Sequence, residues 1–275
     1  MKKINFNTKK TNFYSCFIFS EDNNFPHSET LKQAADKDIL KDINKNFLFK
    51  FIEFLEEKKN ISSQLYQDMF AEFIIGNNFK RNFLEFGATN GLDLSNSYSL
   101  EKFFNWEGVL AEPDPQWHDE LKKNRPNTKI IFDCIWKKSN EKINFLSSKK
   151  GVYSTIDSFK FNDKDSMPGN SNARNQDSKN IILNTISLND LIKQNFNDQA
   201  PSYISIDTEG SEYEILSSLD FKKYRPKVFT IEHNYTNYEK KIDDLMILNG
   251  FIRVFNKLTI FDAWYVDGEV IDKFK

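Results

Sequence analysis

The chain has 275 residues and a mass of 32.4 kDa, enough for one large domain with an N-terminal extension. Its net charge of −2 does not indicate a general binder of nucleic acid or of anionic membranes. The two cysteines, Cys16 and Cys134, lie far apart and do not form the pattern of a disulfide framework or a zinc site. No stretch approaches the roughly 20 apolar residues of a membrane-spanning helix, and we expect a cytoplasmic protein.

The N-terminal part of the chain, residues 1–60, is predicted to be a mainly helical extension. Pro26-His27-Ser28 is typical of a helix start, and apolar residues recur at helical spacing between Glu29 and Lys59. Their common face could cover the core of this chain, act as a lid or form a homodimer with a second copy.

A further helix is predicted from Ile61 to Gly76, with Gln64 in its first turn. The first turn of a helix presents unpaired backbone N–H groups and is a common position for ligands. Ordinary capping by polar side chains would explain the same residues.

The stretch Asn82–Gly91 has the pattern of a strand, a tight turn and the start of a helix. An apolar run from Phe83 to Phe86 is followed by two glycines four residues apart, Gly87 and Gly91. Glycine suits a sharp turn where a ligand approaches the backbone, and such a unit opens many nucleotide-binding α/β domains. A purely structural turn would show the same spacing.

A second apolar strand follows and ends at Glu112, 21 residues past Gly91. An acidic residue about 20 residues beyond such a turn typically binds the ribose of an adenosine ligand, because a carboxylate can accept hydrogen bonds from two vicinal hydroxyls. A carboxylate facing water at a strand end is the alternative.

The turn itself favours one adenosine ligand over another. Dinucleotide-binding turns carry a glycine two residues after the first, which makes room for a pyrophosphate. Here that position is Thr89, whose branched side chain would crowd the approach. S-adenosylmethionine, which has no pyrophosphate, suits the turn better than NAD.

A third strand is predicted from Lys129 to Trp136, beside the first two. Asp133 could accept a hydrogen bond from the exocyclic amine of an adenine, and the small Cys134 would leave room for the ring. An ordinary buried thiol is the alternative for Cys134. Downstream, 142–147 reads as a short strand, whereas the polar stretch 158–180 is predicted to be a loop that could cover a substrate.

The last third of the chain returns to alternating helices and strands. A helix is predicted over Ile186–Ile192, a buried strand over 202–206 and another over 228–232. Both strands end in carboxylates, and a final strand pair follows over 251–255 and 258–266. The alternation implies a mostly parallel sheet with one antiparallel strand at or near an edge.

Five segments together resemble the FkbM-type S-adenosylmethionine-dependent methyltransferases. The likeness runs from about residue 62 to about residue 266, and its most specific part is the Asp-x-Glu-Gly-x-Glu element. In chain order, the segments are Glu85–Gly91, Glu112–Pro115, Asp133-Cys134, Asp207–Glu212 and Glu232-His233.

The resemblance implies an α/β fold, the Rossmann-like class I methyltransferase fold, with a seven-stranded, mostly parallel sheet whose last strand is antiparallel. Residues 61–275 would form this domain, preceded by the N-terminal helical extension. The implied activity is O-methylation, commonly of sugar hydroxyls, with the acceptor nucleotide-linked or part of a surface glycan. Carried over by position, the cofactor-binding residues would be Gln64, Glu85, Gly87, Ala88, Asn90, Gly91, Glu112, Pro113, Asp133, Cys134 and Asp207.

The chemistry requires donor sulfur, methyl group and acceptor oxygen in line, and a base or metal ion that eases loss of the hydroxyl proton. We expect His233 to be the general base, because imidazole titrates near neutral pH, with Asp207 and Glu209 orienting it or the acceptor. A structural role is the alternative for His233. A divalent metal ion, Mg²⁺ or Mn²⁺, held by Asp207, Glu232 and His233 is a further possibility.

Two other function classes compete with a methyltransferase. One is an NAD(P)-linked sugar oxidoreductase, which Thr89 and the missing third glycine disfavour. The other is a non-catalytic module that binds a nucleoside.

Overall fold

The computed structural model describes residues 44–58, 61–161, 172, 174, 178–256 and 258–272. The expected helix start at 26–28, Cys16 and the middle of the predicted polar loop therefore lie outside the described residues. None of the described helices is long and apolar enough to cross a membrane.

The seven-stranded sheet that the family resemblance implies is confirmed. Its strand order is β10-β11-β9-β8-β1-β2-β3, and β11 runs antiparallel to both of its neighbours while the other pairs are parallel. The strands of the chain are β1 (Asn82–Phe86), β2 (Glu107–Ala111), β3 (Lys129–Ile131), β4 (Cys134–Trp136), β5 (Lys142–Ser147), β6 (Thr155–Ile156), β7 (Lys179–Ser187), β8 (Tyr203–Ile206), β9 (Val228–Glu232), β10 (Phe251–Val254) and β11 (Asp262–Asp267).

Helices cover this sheet and connect its strands. In the described part of the chain they are α1 (Lys45–Glu56), α2 (Gln67–Ile75), α3 (Tyr98–Phe104), α4 (His118–Asn124), α5 (Leu188–Asn195), α6 (Glu212–Leu216), α7 (Tyr238–Leu248) and α8 (Gly268–Ile271).

The helix predicted from Ile61 begins only at Gln67, so Gln64 does not lie in its first turn. Tyr66, immediately before the helix, has a left-handed backbone with φ of 70°, which a continuing helix does not allow. The carboxylate of Asp68 accepts the backbone N–H of Ser62 at 3.0 Å and holds the preceding segment in an irregular path. Gly76 ends the helix as predicted.

The predicted third strand is two strands in different sheets. β3 pairs with β2 in the main sheet, whereas β4 pairs with β7 in a four-stranded sheet of order β4-β7-β5-β6. The chain leaves the main sheet between them, at 132–133. Apolar residues on both sides of Asp133 made the segment resemble a single strand.

β7 was missed, and it occupies the end of the predicted polar loop and the start of the helix expected at Ile186. Much of it is polar or exposed, and it forms through pairing with β5 over six residue pairs rather than through burial. Its last residue, Ser187, caps α5, because its hydroxyl accepts the backbone N–H of Asp190 at 3.1 Å.

An aromatic cluster joins α1 to the main sheet. Phe51 on α1 is fully buried, and its ring lies 5.6 Å from that of Phe70 on α2. The ring of Trp264 on β11 stacks on Phe70 at 4.7 Å. The apolar face of α1 therefore covers the core of its own chain, one of the uses predicted for it.

We expect Phe51→Ala to lower the free energy of unfolding by about 3–5 kcal/mol, because it leaves a cavity among packed aromatic rings. The measurement is equilibrium unfolding in urea. Phe103→Ala on α3 is the control, since nearly half of that side chain is exposed, and its effect should be small. Equal small losses for both variants would contradict the packing of α1.

Candidate functional site

A cavity of about 290 Å³ opens at the carboxyl ends of the parallel strands β1, β2, β8 and β9. Ligands of open α/β sheets bind at this edge. The segment before α2, the 151–154 turn and the start of β11 close its sides. The predicted site residues that line it are Gln64, Glu85, Gly87, Ala88, Glu112, Pro113, Cys134, Asp207, Glu209 and Glu232.

Gly87 allows the turn after β1 to touch the end of β8. Its φ is 76°, and a Cβ built on it would lie 1.8 Å from the carbonyl oxygen of Asp207. No side chain fits there. The N–H groups of Gly87 and Ala88 both donate to the carbonyl of Ala111, at 3.1 and 3.3 Å, so the turn is held against β2 as well.

Asn90 and Gly91 shape this turn but do not line the cavity. The side-chain oxygen of Asn90 accepts the backbone N–H groups of Leu92 and Asp93 at 3.0 and 2.9 Å. A Cβ on Gly91, whose φ is 73°, would lie 2.5 Å from Leu121 of α4. Close packing on α4 explains this second glycine without a ligand.

Glu112 lies at the end of β2 and faces the cavity. Its two carboxylate oxygens accept the backbone N–H groups of Thr89 and Asp114, each at 2.8 Å. Each oxygen keeps a further lone pair, so the carboxylate can also accept from two hydroxyls. Burial raises the pKa of Glu112 to about 8 despite these bonds.

Glu85 also lines the cavity, but the protein itself satisfies much of its carboxylate. It accepts the hydroxyl of Ser95 at 3.0 Å, the backbone N–H of Asn96 at 2.8 Å and the hydroxyl of Ser97. Burial raises its pKa, and the nearby Arg125 guanidinium opposes that shift. These bonds fix the loop that leads from the turn into α3.

The expected adenine side of the cavity contains Cys134 but not Asp133. The Cys134 thiol is buried, and burial raises its pKa to about 12, so it acts as a small neutral wall. The sequence did not indicate that the four-stranded sheet would supply the neighbouring apolar wall, from Ile135, Phe145 and Ile156.

The Asp-x-Glu-Gly-x-Glu element divides into two functions. Asp207 and Glu209 line the cavity, whereas Glu212 turns back and accepts the N–H groups of Thr208 and Gly210 at 3.0 and 2.9 Å. Glu212 therefore stabilises the turn that carries the other two carboxylates.

Glu232, at the end of β9, approaches the same two carboxylates. Oxygens of Asp207, Glu209 and Glu232 all lie within 4.8 Å of one another. Glu232 and Asp207 hydrogen-bond to each other. Burial is the main cause that raises both pKa values, that of Asp207 to about 6 and that of Glu232 well above its usual range.

Asp262 is a cavity carboxylate that sequence reasoning missed. It opens β11, where it pairs in register with Glu232. Gln67 donates to it at 2.9 Å and the indole N–H of Trp264 at 3.3 Å, and burial raises its pKa to about 7. Only the antiparallel return of β11, which no motif marks, brings it to the site.

His233 does not line the cavity. Its Nδ1 accepts the backbone N–H of Tyr235 at 3.0 Å, and its Nε2 lies 3.3 Å from the guanidinium of Arg253. Burial lowers its pKa to about 4. This placement disfavours the roles predicted for His233 as general base and as metal ligand, and it favours the structural alternative.

Negative charge dominates the cavity. Among the described residues that line it, none is Lys, Arg or His, and seven are acidic: Glu85, Asp93, Glu112, Asp207, Glu209, Glu232 and Asp262. Such a cavity attracts cationic ligands and repels phosphates.

Comparison with known proteins agrees with this geometry. The family model described as Methyltransferase FkbM domain matches residues 85–262, more than half of the chain, and the match includes the strand ends around the cavity. The chain belongs to the FkbM methyltransferase family. The resemblance drawn from the sequence motifs is confirmed, and the FkbM family implies S-adenosylmethionine as the methyl donor.

Two solved structures share a distant likeness with this FkbM-family chain. A methyltransferase FkbM from Methylobacillus flagellatus KT is 12% identical, with a TM-score of 0.43, over 88% of this chain and 58% of that one. A precorrin-6y C5,15-methyltransferase from Geobacter metallireducens GS-15 is 14% identical, with a TM-score of 0.36, over 71% of this chain and 76% of that one. No curated protein matches the chain.

We expect the ligand-free protein to lose stability as pH rises from about 6.5 to 8. Asp262 and Glu112 have folded pKa values of about 7 and 8, above their usual values of 3.8 and 4.5. Their contribution to stability is complete below the usual values and is lost as pH rises through the folded ones. The lowered pKa of His233 makes stability rise with pH, but only below about pH 6.5, so it does not affect this window.

The measurement is the thermal midpoint at several pH values across this window. Glu112→Gln should flatten the decline near pH 8, whereas Glu53→Gln, an exposed change on α1, should leave it unchanged. A midpoint that rises from pH 6.5 to 8 would contradict the assignment.

Proposed function

We propose that this FkbM-family protein is an S-adenosylmethionine-dependent O-methyltransferase that acts on a sugar hydroxyl. The observation that carries the proposal is the acidic cavity at the strand ends, with Glu112 placed to accept from vicinal hydroxyls. The acceptor sugar would be nucleotide-linked or part of a surface glycan.

The charge of the cavity supports a sulfonium donor over NAD(P). S-adenosylmethionine carries a positive sulfonium, which carboxylates attract, whereas a dinucleotide would bring two phosphate charges toward the same groups. Thr89 occupies the position where a dinucleotide turn has glycine. A sugar oxidoreductase is therefore disfavoured on both grounds.

Within the donor site, we propose three contacts. Glu112 binds the ribose hydroxyls, and the turn at Gly87 and Ala88 faces the methionine part. The adenine lies beside Cys134 and the apolar wall formed by Ile135 and Phe145. Asp133, Asn90 and Gly91 would act by shaping these contacts, since they do not line the cavity.

The acceptor is proposed to lie beside Asp207 and Glu209, where Thr208, Ser211 and Asn234 add neutral polar groups. Carboxylates and hydroxyls together suit an uncharged sugar ring. Because the described lining residues offer no cation, any phosphate of a nucleotide-linked acceptor would lie outside this part of the cavity.

The reaction would proceed as an in-line displacement. The acceptor oxygen bonds to the methyl carbon, the bond from sulfur to that carbon breaks, and its electron pair stays on sulfur. The hydroxyl proton passes to a carboxylate, and we assign this role to Asp207, which faces the cavity, rather than to His233.

The domain bounds and the cellular location of the protein are also part of this proposal. We propose a methyltransferase domain over 61–275, an extension over 1–60 and a cytoplasmic location, the last supported by the cysteine content. The apolar residues of α1 are covered by the chain's own core, so the predicted homodimer would have to use residues 1–43, outside the described residues.

We expect the ligand-free protein to bind S-adenosylhomocysteine, the product of the donor, and not NAD in isothermal titration calorimetry. Glu112→Ala should weaken that binding roughly 10- to 100-fold, because hydrogen bonds to a charged group contribute about 1.5–3 kcal/mol. Glu107→Gln is the control, since it changes an exposed carboxylate at the far end of the same strand. Full affinity in Glu112→Ala, or tighter binding of NAD, would refute the donor assignment.

We expect methyl transfer from labelled donor to at least one member of a panel of free, nucleotide-linked and polymeric sugars. Asp207→Asn should lower turnover about 100-fold or more, with S-adenosylhomocysteine binding as the check on folding. His233→Gln should keep turnover within a few fold and leave the pH profile unchanged. A large loss in His233→Gln with a shifted profile would restore the imidazole as base, and labelling of none of the sugars would reject the acceptor class.

A further inference from the structure

We propose that Asp207, Glu209 and Glu232 form a binding site for one hard divalent cation of the Mg²⁺ or Mn²⁺ kind. The site lies on the acceptor side of the cavity, at the ends of β8 and β9. The cation's role in the reaction rests on the proposed function, whereas its binding rests on the geometry of the three carboxylates.

The spacing of the carboxylates fits such an ion. One oxygen from each residue lies within 4.8 Å of the other two. Oxygen ligands lie about 2.1 Å from Mg²⁺, so two ligands on opposite sides of the ion are roughly 4.2 Å apart. Small side-chain movements would bring all three into contact with one ion.

A second observation points to a missing partner. Glu232 is 8% exposed, and its Oε2 has no hydrogen-bond partner in the described part of the chain. A buried oxygen without a partner is costly, and a cation would satisfy it.

The neighbouring Asp262 provides a contrast within the same cavity. It lies opposite Glu232 in the strand pair, and two side-chain N–H groups, those of Gln67 and Trp264, donate to its carboxylate. The protein thus supplies donors to one carboxylate of the pair and, among the described residues, none to Oε2 of the other.

The carboxylates are also held in place. Glu209 adopts a left-handed backbone with φ of 57°, within the turn that Glu212 stabilises. The buried Arg174 forms an ion pair with Glu209. The three ligands are carboxylates, the hard oxygen ligands that Mg²⁺ and Mn²⁺ prefer.

A cation at this position would act on the acceptor. It would attract the hydroxyl oxygen of the sugar and make the proton easier to lose. The proton would pass to the oxygen of Asp207 that does not bind the ion. The acceptor oxygen would then bond to the methyl carbon while the bond from sulfur to that carbon breaks.

The test uses Mn²⁺ alone as the probe, added to the full chain after treatment with a chelator. Electron paramagnetic resonance measures free Mn²⁺, and S-adenosylhomocysteine binding is measured on the same samples. We expect one Mn²⁺ per chain, displaced by Mg²⁺, with at least tenfold weaker binding in Glu232→Gln. Asp244→Asn, an exposed carboxylate on α7, should bind Mn²⁺ as the unchanged protein does.

The possible results separate this proposal from the proposed function. No Mn²⁺ binding at millimolar concentration, or equal binding in Glu232→Gln, overturns the metal site, while retained S-adenosylhomocysteine binding leaves the donor assignment intact. Loss of S-adenosylhomocysteine binding in the unchanged protein refutes the proposed function instead. If Glu232→Gln fails to fold, Glu209→Gln replaces it, and unaltered Mn²⁺ affinity there overturns the site.

Discussion

The backbone contact between Gly87 and the carbonyl of Asp207 is the constraint on which the site depends. It sets the separation between the turn after β1 and the turn after β8, because a Cβ at Gly87 would overlap that carbonyl. For this reason the turn at Gly87 and the Asp-x-Glu-Gly-x-Glu element are adjacent in space although they are distant in sequence. Hydrogen bonds from Gly87 and Ala88 to Ala111 bring the end of β2 and Glu112 to the same place.

Concentrated negative charge is the second organising feature. Seven carboxyl groups lie around one cavity, and burial raises the pKa of five of them: Glu85, Glu112, Asp207, Glu232 and Asp262. A cationic ligand in the cavity would favour the charged form of these carboxyl groups and lower their pKa values. The sulfonium donor and the divalent ion proposed for the two sides of the cavity would both act in this way.

Much of the fold could be predicted because hydrophobic alternation and turn residues are local signals. The number of seven strands came from the family resemblance. The mostly parallel sheet with one antiparallel strand near its edge and the strand-end position of Glu112 were predicted from these local signals. β7 was not, since much of it is polar or exposed and it forms by pairing with β5 on one side and β4 on the other.

The same distinction applies to the site. Asp262 reaches the cavity because β11 runs back between β9 and β10. The side chain of His233, just after β9, is held away from the cavity by its contacts with Tyr235 and Arg253. Both are consequences of tertiary contacts that a motif does not encode. The split of the third strand likewise depends on which sheet offers the next partner.

Trp264 connects the packing of α1 to the wall of the cavity at the carboxyl ends of the strands. One face of the indole packs in the aromatic cluster with Phe51 and Phe70, while its N–H holds Asp262 in the cavity wall. Thermodynamic linkage works in both directions. The packing that holds α1 in place thus also holds a hydrogen-bond donor on Asp262, and a ligand that bound Asp262 would in turn stabilise the position of Trp264 against α1 and α2.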